Sequence, residues 1–155
     1  MNSDIASFAE LARQYCAWAE GPVQAVTVEV STALSVLSRL YAAALALPDV
    51  FGTEEVPRVL DVEWRRVYER FGALPFNYYS SCLEPHNFPG GEMGVSDVAD
   101  DLADIWRDLM RGLMLFESGA VDAAAREWRF HFHCHWGEHA TGALHALHCW
   151  RTGEE

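Results

Sequence analysis

From Val98 to Phe116 the apolar residues Val98, Leu102, Ile105, Leu109, Leu113 and Phe116 recur every three or four positions, which is the stripe of a single helix face. A second stripe follows directly. Trp128, Phe132, His135, His139, Ala143, Ala146 and Trp150 fall on one face of a helix expected from about Val121 to Arg151, with Gly153 just past its end. Two long amphipathic helices joined at Gly119 pack as an antiparallel pair, and their apolar faces need further helices to cover them. The rest of the chain supplies candidates. A first helix is expected over Ser3 to Glu20, with Ser7 and Glu10 at capping-box spacing and Gly21-Pro22 as its stop. A second is expected over Val23 to Leu47, ended by Pro48, and a third after Pro57 with Leu60, Trp64, Val67 and Phe71 on one stripe. The expected fold is all-α: an up-and-down bundle of about five helices, a single helical domain over residues 1–155, with one long crossover loop at about 72–95.

Two segments depart from this regularity. Residues 72–94, GALPFNYYSSCLEPHNFPGGEMG, are punctuated throughout by Pro, Gly and Asn. They read either as a lid carrying Phe76, Tyr78, Tyr79, Cys82 and His86, or as a strap whose aromatics plug one end of the bundle; the second reading is favoured because aromatics mostly supply buried area. Residues 129–137, RFHFHCHWG, alternate apolar and polar, so a strand would present His131, His133 and His135 on one face as a metal-ligand set. Helical spacing runs through both flanks, however, and only FNYYSSC offers such a strand a partner. The helix is therefore preferred.

Composition narrows the classes of function. Of 155 residues, 23 are acidic and 11 basic, every cation being Arg, for a net charge of −12. So acidic a chain lacks the cationic face that nucleic acid or an anionic membrane requires. The longest apolar run, Leu40 to Leu47, is too short to span a bilayer, and the N-terminus has no signal-peptide pattern. Cys16, Cys82, Cys134 and Cys149 form no CxxC pair; reduced thiols in a bacterial-type cytoplasm are expected. No phosphate-binding glycine loop, GxSxG or HExxH is present.

Chemistry concentrates on the last two helices. Asp97, Asp101, Asp104 and Asp108 lie along one flank of the first, while His131, His135 and His139 step along the second from Glu127. In an antiparallel pair turning near Gly119, facing residues sum to a constant of about 239, which aligns Asp101 with His139, Asp104 with His135 and Asp108 with His131. Such an Asp–His ladder has three readings. It can be structural, carboxylates accepting imidazole N–H groups at a buried seam. It can hold a divalent metal, Zn, Fe or Mn, through His135 and His139 with Asp101, Asp104 or Glu127. It can do acid–base chemistry, although no nucleophile or substrate motif accompanies it. Arg107 and Arg111 are expected to bridge Asp104 and Asp108. Trp106 and Trp136 read as core, and Cys134 as an inert side chain off the core stripe.

DDLADIWRDLMRGLMLFESG at 100–119 and EWRFHFHCHWGEHATGALHALH at 127–148 resemble the C-terminal signature of a bacterial family of small helical proteins catalogued only as a domain of unknown function. The shared pattern is DDLADI-aromatic-x-DL, then EW-basic-F-x-F-x-x-HWG-x-H, then ALH; it covers about a third of the chain. The resemblance implies a helical bundle in a bacterial cytoplasm and supplies no activity, ligand or catalytic residue. Asp101, Asp104, Asp108, Glu127, His135 and His139 match its pattern, whereas His131 and His133 are particular to this chain. The residues together favour a non-enzymatic binding domain with a structural Asp–His seam and a protein partner or homo-oligomeric state. The alternative is a metal-binding bundle, catalytic in one version.

Overall fold

The computed structural model describes residues 1–153. Its helices are α1 (Ser3–Glu20), α2 (Val26–Ala44), α3 (Asp61–Arg70), α4 (Val98–Glu117), α5 (Val121–His131) and α6 (Gly137–Gly153). A 3-10 turn, Phe71–Ala73, closes α3, and a π-helical turn, Phe132–Trp136, connects α5 to α6. Two antiparallel strands, β1 (Tyr78–Cys82) and β2 (Met93–Asp97), pair from Tyr78 opposite Asp97 to Cys82 opposite Met93.

The fold is therefore mostly helical but not all-α, because the expected crossover loop is in large part a hairpin. The physical reason is local. Tyr78, Tyr79 and Val95 favour extended backbone, and the Pro-, Gly- and Asn-rich connection between the strands turns the chain back. At five residues each, the strands are too short for periodicity to announce them.

Helix boundaries depart from expectation in small ways. The first helix is capped by Asn2, whose side chain accepts the Asp4 N–H at 2.7 Å, and not by Ser7. The second is shorter than expected at both ends. Leu60 precedes the third helix and is exposed, while Val67 and Phe71 carry its buried stripe. The fifth expected helix is one rod interrupted by the π turn, so the helical reading of 129–137 holds and the HxHxH strand does not form.

Helix α4 is the structural axis. It packs against α1, α3, α5 and α6, and Val98, Leu102, Ile105 and Leu109 are fully buried. Trp128 from α5 inserts beside it and donates its indole N–H to the Leu109 carbonyl at 3.0 Å. Gly112 makes room, since a Cβ there would stand 2.5 Å from Cδ1 of that indole. Trp136 donates in turn to the Trp128 carbonyl at 3.1 Å, and Phe8 from α1 packs against both rings. At the opposite side, Arg70 holds the fully buried carboxylate of Glu29 with bonds of 2.8 and 2.9 Å and lies over the Trp18 and Phe71 rings. Among the described residues, no helix is long and apolar enough to cross a membrane.

Candidate functional site

Helix α4 presents Asp101, Asp104 and Asp108 at i, i+3 and i+7, one face turned toward the π turn and α6. From the other side come His135 in the π turn and His139 in the first part of α6. His139 Nδ1 donates to Asp101 Oδ1 at 2.7 Å, and His135 Nδ1 donates to Asp108 Oδ2 at 2.5 Å. A carboxylate can only accept, so these bonds place the proton of each neutral ring on Nδ1 and leave the Nε2 lone pair free. Both Nε2 atoms lie 3.5 Å from the same oxygen, Asp104 Oδ2, and the two rings meet edge to face with centroids 4.7 Å apart.

Asp104 is itself anchored. Its other oxygen, Oδ1, accepts from Trp64 Nε1 and from Arg107, each at 2.8 Å. Asp104, His135 and His139 thus bring three donor atoms within 4.8 Å of one another, a set that can hold a divalent ion. Asp100, Asp101 and His139 meet the same distance condition, but there Asp101 is already committed to His139 and Tyr79. The depth of burial is graded: the Asp108 side chain is 1% exposed, Asp104 13% and His135 35%, so carboxylates sit at the floor and one imidazole at the mouth.

The observed pairing keeps two expected rungs, Asp101 with His139 and Asp104 with His135, and corrects the third, because Asp108 meets His135 and not His131. His135 reaches Asp108 and Asp104, His139 reaches Asp101 and Asp104, and His131 bonds within its own helix to Glu127 at 2.9 Å. Side chains lean toward the N-terminus of their helix, which raises the sum of meeting residues by about two in an antiparallel pair. The π turn adds a further residue to the path, and its bond from the Gly137 N–H to the Phe132 carbonyl is possible because residue 137 carries no Cβ. Glu127, a candidate ligand from the sequence, is buried beside His131 and does not join the cluster. Asp97, on the same flank but without a partner in the expected ladder, caps α4 by accepting the Ala99 N–H at 2.9 Å and accepts from Tyr68 at 2.8 Å.

Two roles at the site escaped sequence reasoning, which places Trp64 only on an apolar stripe and Tyr79 only in the segment read as a lid or strap. Trp64 lies on the apolar stripe of α3, and only the packing of α3 on α4 shows that its N–H serves Asp104. Tyr79 belongs to the hairpin and donates its hydroxyl to Asp101 Oδ2. Arg107 and Arg111 do bridge Asp104 and Asp108, at 2.8 and 3.6 Å. Trp106 and Trp136 are core, and Cys134 is exposed. Trp106 Nε1 and Asp108 Oδ1 are buried without a hydrogen-bond partner.

The electrostatics follow from this crowding. Burial by itself would lower the basicity of His139, but the bond to Asp101 and the charges of Asp101, Asp104 and Asp100 outweigh it, so its pKa is raised. Asp100 is shifted up by burial and by Asp104 beside it. Burial and the bond to Asp101 push the Tyr79 phenol well above its ordinary range, keeping it a donor. A cleft of about 570 Å³ opens over the cluster between the hairpin and α6, with Tyr79, Asp101, His135, His139 and Gly142 among its walls.

The family model described as Domain of unknown function (DUF5063) matches residues 1–152, and the chain belongs to that family. No curated protein matches the sequence. The crystal structure of protein BF1032 from Bacteroides fragilis is similar to this chain with a TM-score of 0.79 and 22% identity, covering 96% of this chain and 95% of that one. At this identity the likeness speaks for the fold and not for an activity.

Proposed function

For this member of a family without an established activity, we propose that the chain, acting as one domain, binds a single divalent metal ion through His135 Nε2, His139 Nε2 and Asp104 Oδ2. One observation carries the reading. Donors about 2.1 Å from a tetrahedral ion stand about 3.4 Å apart, and both imidazole nitrogens stand 3.5 Å from the Asp104 oxygen. Two imidazole nitrogens and one carboxylate oxygen are also a donor set that zinc takes in tetrahedral sites, so of Zn, Fe and Mn we favour zinc. The outer carboxylates support it further: Asp101 and Asp108 each accept from the Nδ1 of one imidazole, the arrangement that orients a ligating ring. Three protein donors leave a fourth position toward the cleft, where an ion of this kind binds water or polarises an oxygen-bearing ligand. Asp101 and Glu127, candidates on sequence grounds, act in this reading as an orienting group and as a structural partner of His131. The four free cysteines suit a reducing, cytoplasmic setting.

The test is metal analysis of tag-free protein, followed by zinc titration and melts with and without chelator. One equivalent of zinc, with a melting temperature raised by zinc, is expected; His135→Ala and His139→Ala should abolish both. No bound metal and an unmoved melting temperature would sink the proposal.

A second reading, association with a protein partner or another copy of the chain, is favoured by the outer face of the hairpin. Val95 is 78% exposed there, with Tyr78 and Met93 on the same face, and Phe88 in the connection between the strands is 92% exposed. Light scattering tests the homo-oligomeric version. A dimer dissociated by Val95→Glu is its expected result, and a monomer at all concentrations tells against it.

A further inference from the structure

The hairpin is mounted on the start of α4. Strand β2 ends at Asp97 and the helix begins at Val98, whose N–H bonds the Asn77 carbonyl at 2.8 Å. Tyr79 faces Ser96 across the ladder, on the side of the sheet turned toward the bundle, and Ser81 meets Ser96 at 2.8 Å. From this platform the phenol reaches Asp101 Oδ2, while the other oxygen of the same carboxylate accepts from His139 Nδ1. Gly142, one turn beyond His139, permits the approach: a Cβ there would stand 2.5 Å from the Tyr79 hydroxyl oxygen. Phe76 braces the phenol ring edge-on, with centroids 6.5 Å apart.

A carboxylate with two donors on its two oxygens has one rotamer that satisfies both. We propose that the β1–β2 hairpin is a working part of the metal site, in which Tyr79, acting through Asp101, fixes the His139 ring so that Nε2 faces Asp104, and that docking of the hairpin and binding of the ion are thereby coupled. The inference rests on the metal reading above. Tyr79 is a positioning residue here, since it touches Asp101 and not the donor atoms. The coupling runs both ways. An ion that holds His139 in place also holds Asp101 for Tyr79, so zinc tightens the hairpin as the hairpin tightens zinc.

The experiment compares wild type, Tyr79→Phe, Gly142→Ala and the exposed control Tyr78→Phe, in zinc titration, in the visible spectrum of the cobalt-substituted protein, and in amide exchange over residues 78–82 with and without zinc. Loss of a group bonded directly to a ligating ring weakens metal binding by about 10–100-fold, and Tyr79 stands one bond further out, so a loss at the low end, about tenfold, is expected. Tyr79→Phe and Gly142→Ala are expected to lose zinc affinity on that scale and to alter the cobalt spectrum. Wild type should gain exchange protection in the hairpin on adding zinc, and the two variants should not. Tyr78→Phe should match wild type. Gly142→Ala keeps the phenol and favours the helix, so it carries the test if Tyr79→Phe disturbs the hairpin outright. Zinc binding and cobalt spectra identical to wild type in both variants would overturn the coupling while leaving the metal site standing. Failure of wild type to bind zinc would overturn both readings together.

Discussion

Replacing Asp104 by Asn exchanges a carboxylate for an amide of the same shape and strikes the site where all its contacts converge. Without metal, the variant loses the charge that accepts from Trp64 and from Arg107, both at 2.8 Å. A hydrogen bond to a charged group contributes about 1.5–3 kcal/mol against about 1 for a neutral one. The Arg107 side chain is 26% exposed and partly screened, so the metal-free cost is about 1–2 kcal/mol. With zinc at about a thousand times its dissociation constant, wild type gains about 4 kcal/mol. If loss of the carboxylate weakens binding about a hundredfold, the same zinc stands at ten dissociation constants and contributes only about 1.4 kcal/mol. At about 2–4 °C per kcal/mol for a chain of this size, the zinc-induced rise in melting temperature shrinks from about 8–16 °C to about 3–6 °C. Circular-dichroism melts in chelator and in buffered zinc measure the four values. Equal zinc-induced rises in wild type and variant would refute the role given to Asp104; a variant that matches wild type in chelator would refute the anchoring by Trp64 and Arg107.

Three further predictions concern the frame around the site. Glu29→Gln breaks the buried pair with Arg70 and should cost about 3 kcal/mol, a fall of about 6–12 °C in melting temperature; a fall under about 2 °C would show that the pair is not the clamp described. Gly112→Ala drives a methyl into the Trp128 indole and should destabilise by about 1–3 kcal/mol, read from the urea midpoint; a stabilised variant would mean the helix axes can separate there. The Glu127 bond and charge, acting against burial, raise the pKa of His131. Because the folded value lies above the unfolded one near 6.5, that stabilisation is complete below about pH 6.5 and is lost as pH rises through the folded value. In chelator, His131→Gln should therefore flatten the decline of stability above that pH, and parallel wild-type and variant curves would contradict the pairing.

The helices were legible because burial imposes a 3.6-residue period that long segments cannot hide: the stripes on α4 and on the α5–α6 rod locate the core correctly, down to Leu102, Ile105, Leu109 and Trp128. The gathering of carboxylates and imidazoles on facing flanks was legible for the same reason, since Asp101, Asp104, His135 and His139 keep that period. The hairpin was not, because two five-residue strands in a Pro- and Gly-rich stretch carry little periodic signal, and strand pairing is a contact between distant residues. The π turn was not, because one extra residue in a helix leaves the apolar pattern almost intact while rotating everything after it. That rotation decides that His135 goes to Asp108, that Asp104 stands between two imidazoles, and that Glu127 is left with His131. Sequence alone therefore determined which residues share a face, a local property of helix geometry. The antiparallel register also gave Asp101 with His139 and Asp104 with His135. The Asp108–His135 bond, the second imidazole on Asp104 and the arrival of Trp64 and Tyr79 from elements far along the chain were decided only by tertiary packing, because a shift of one residue between neighbouring helices changes partners without altering either helix.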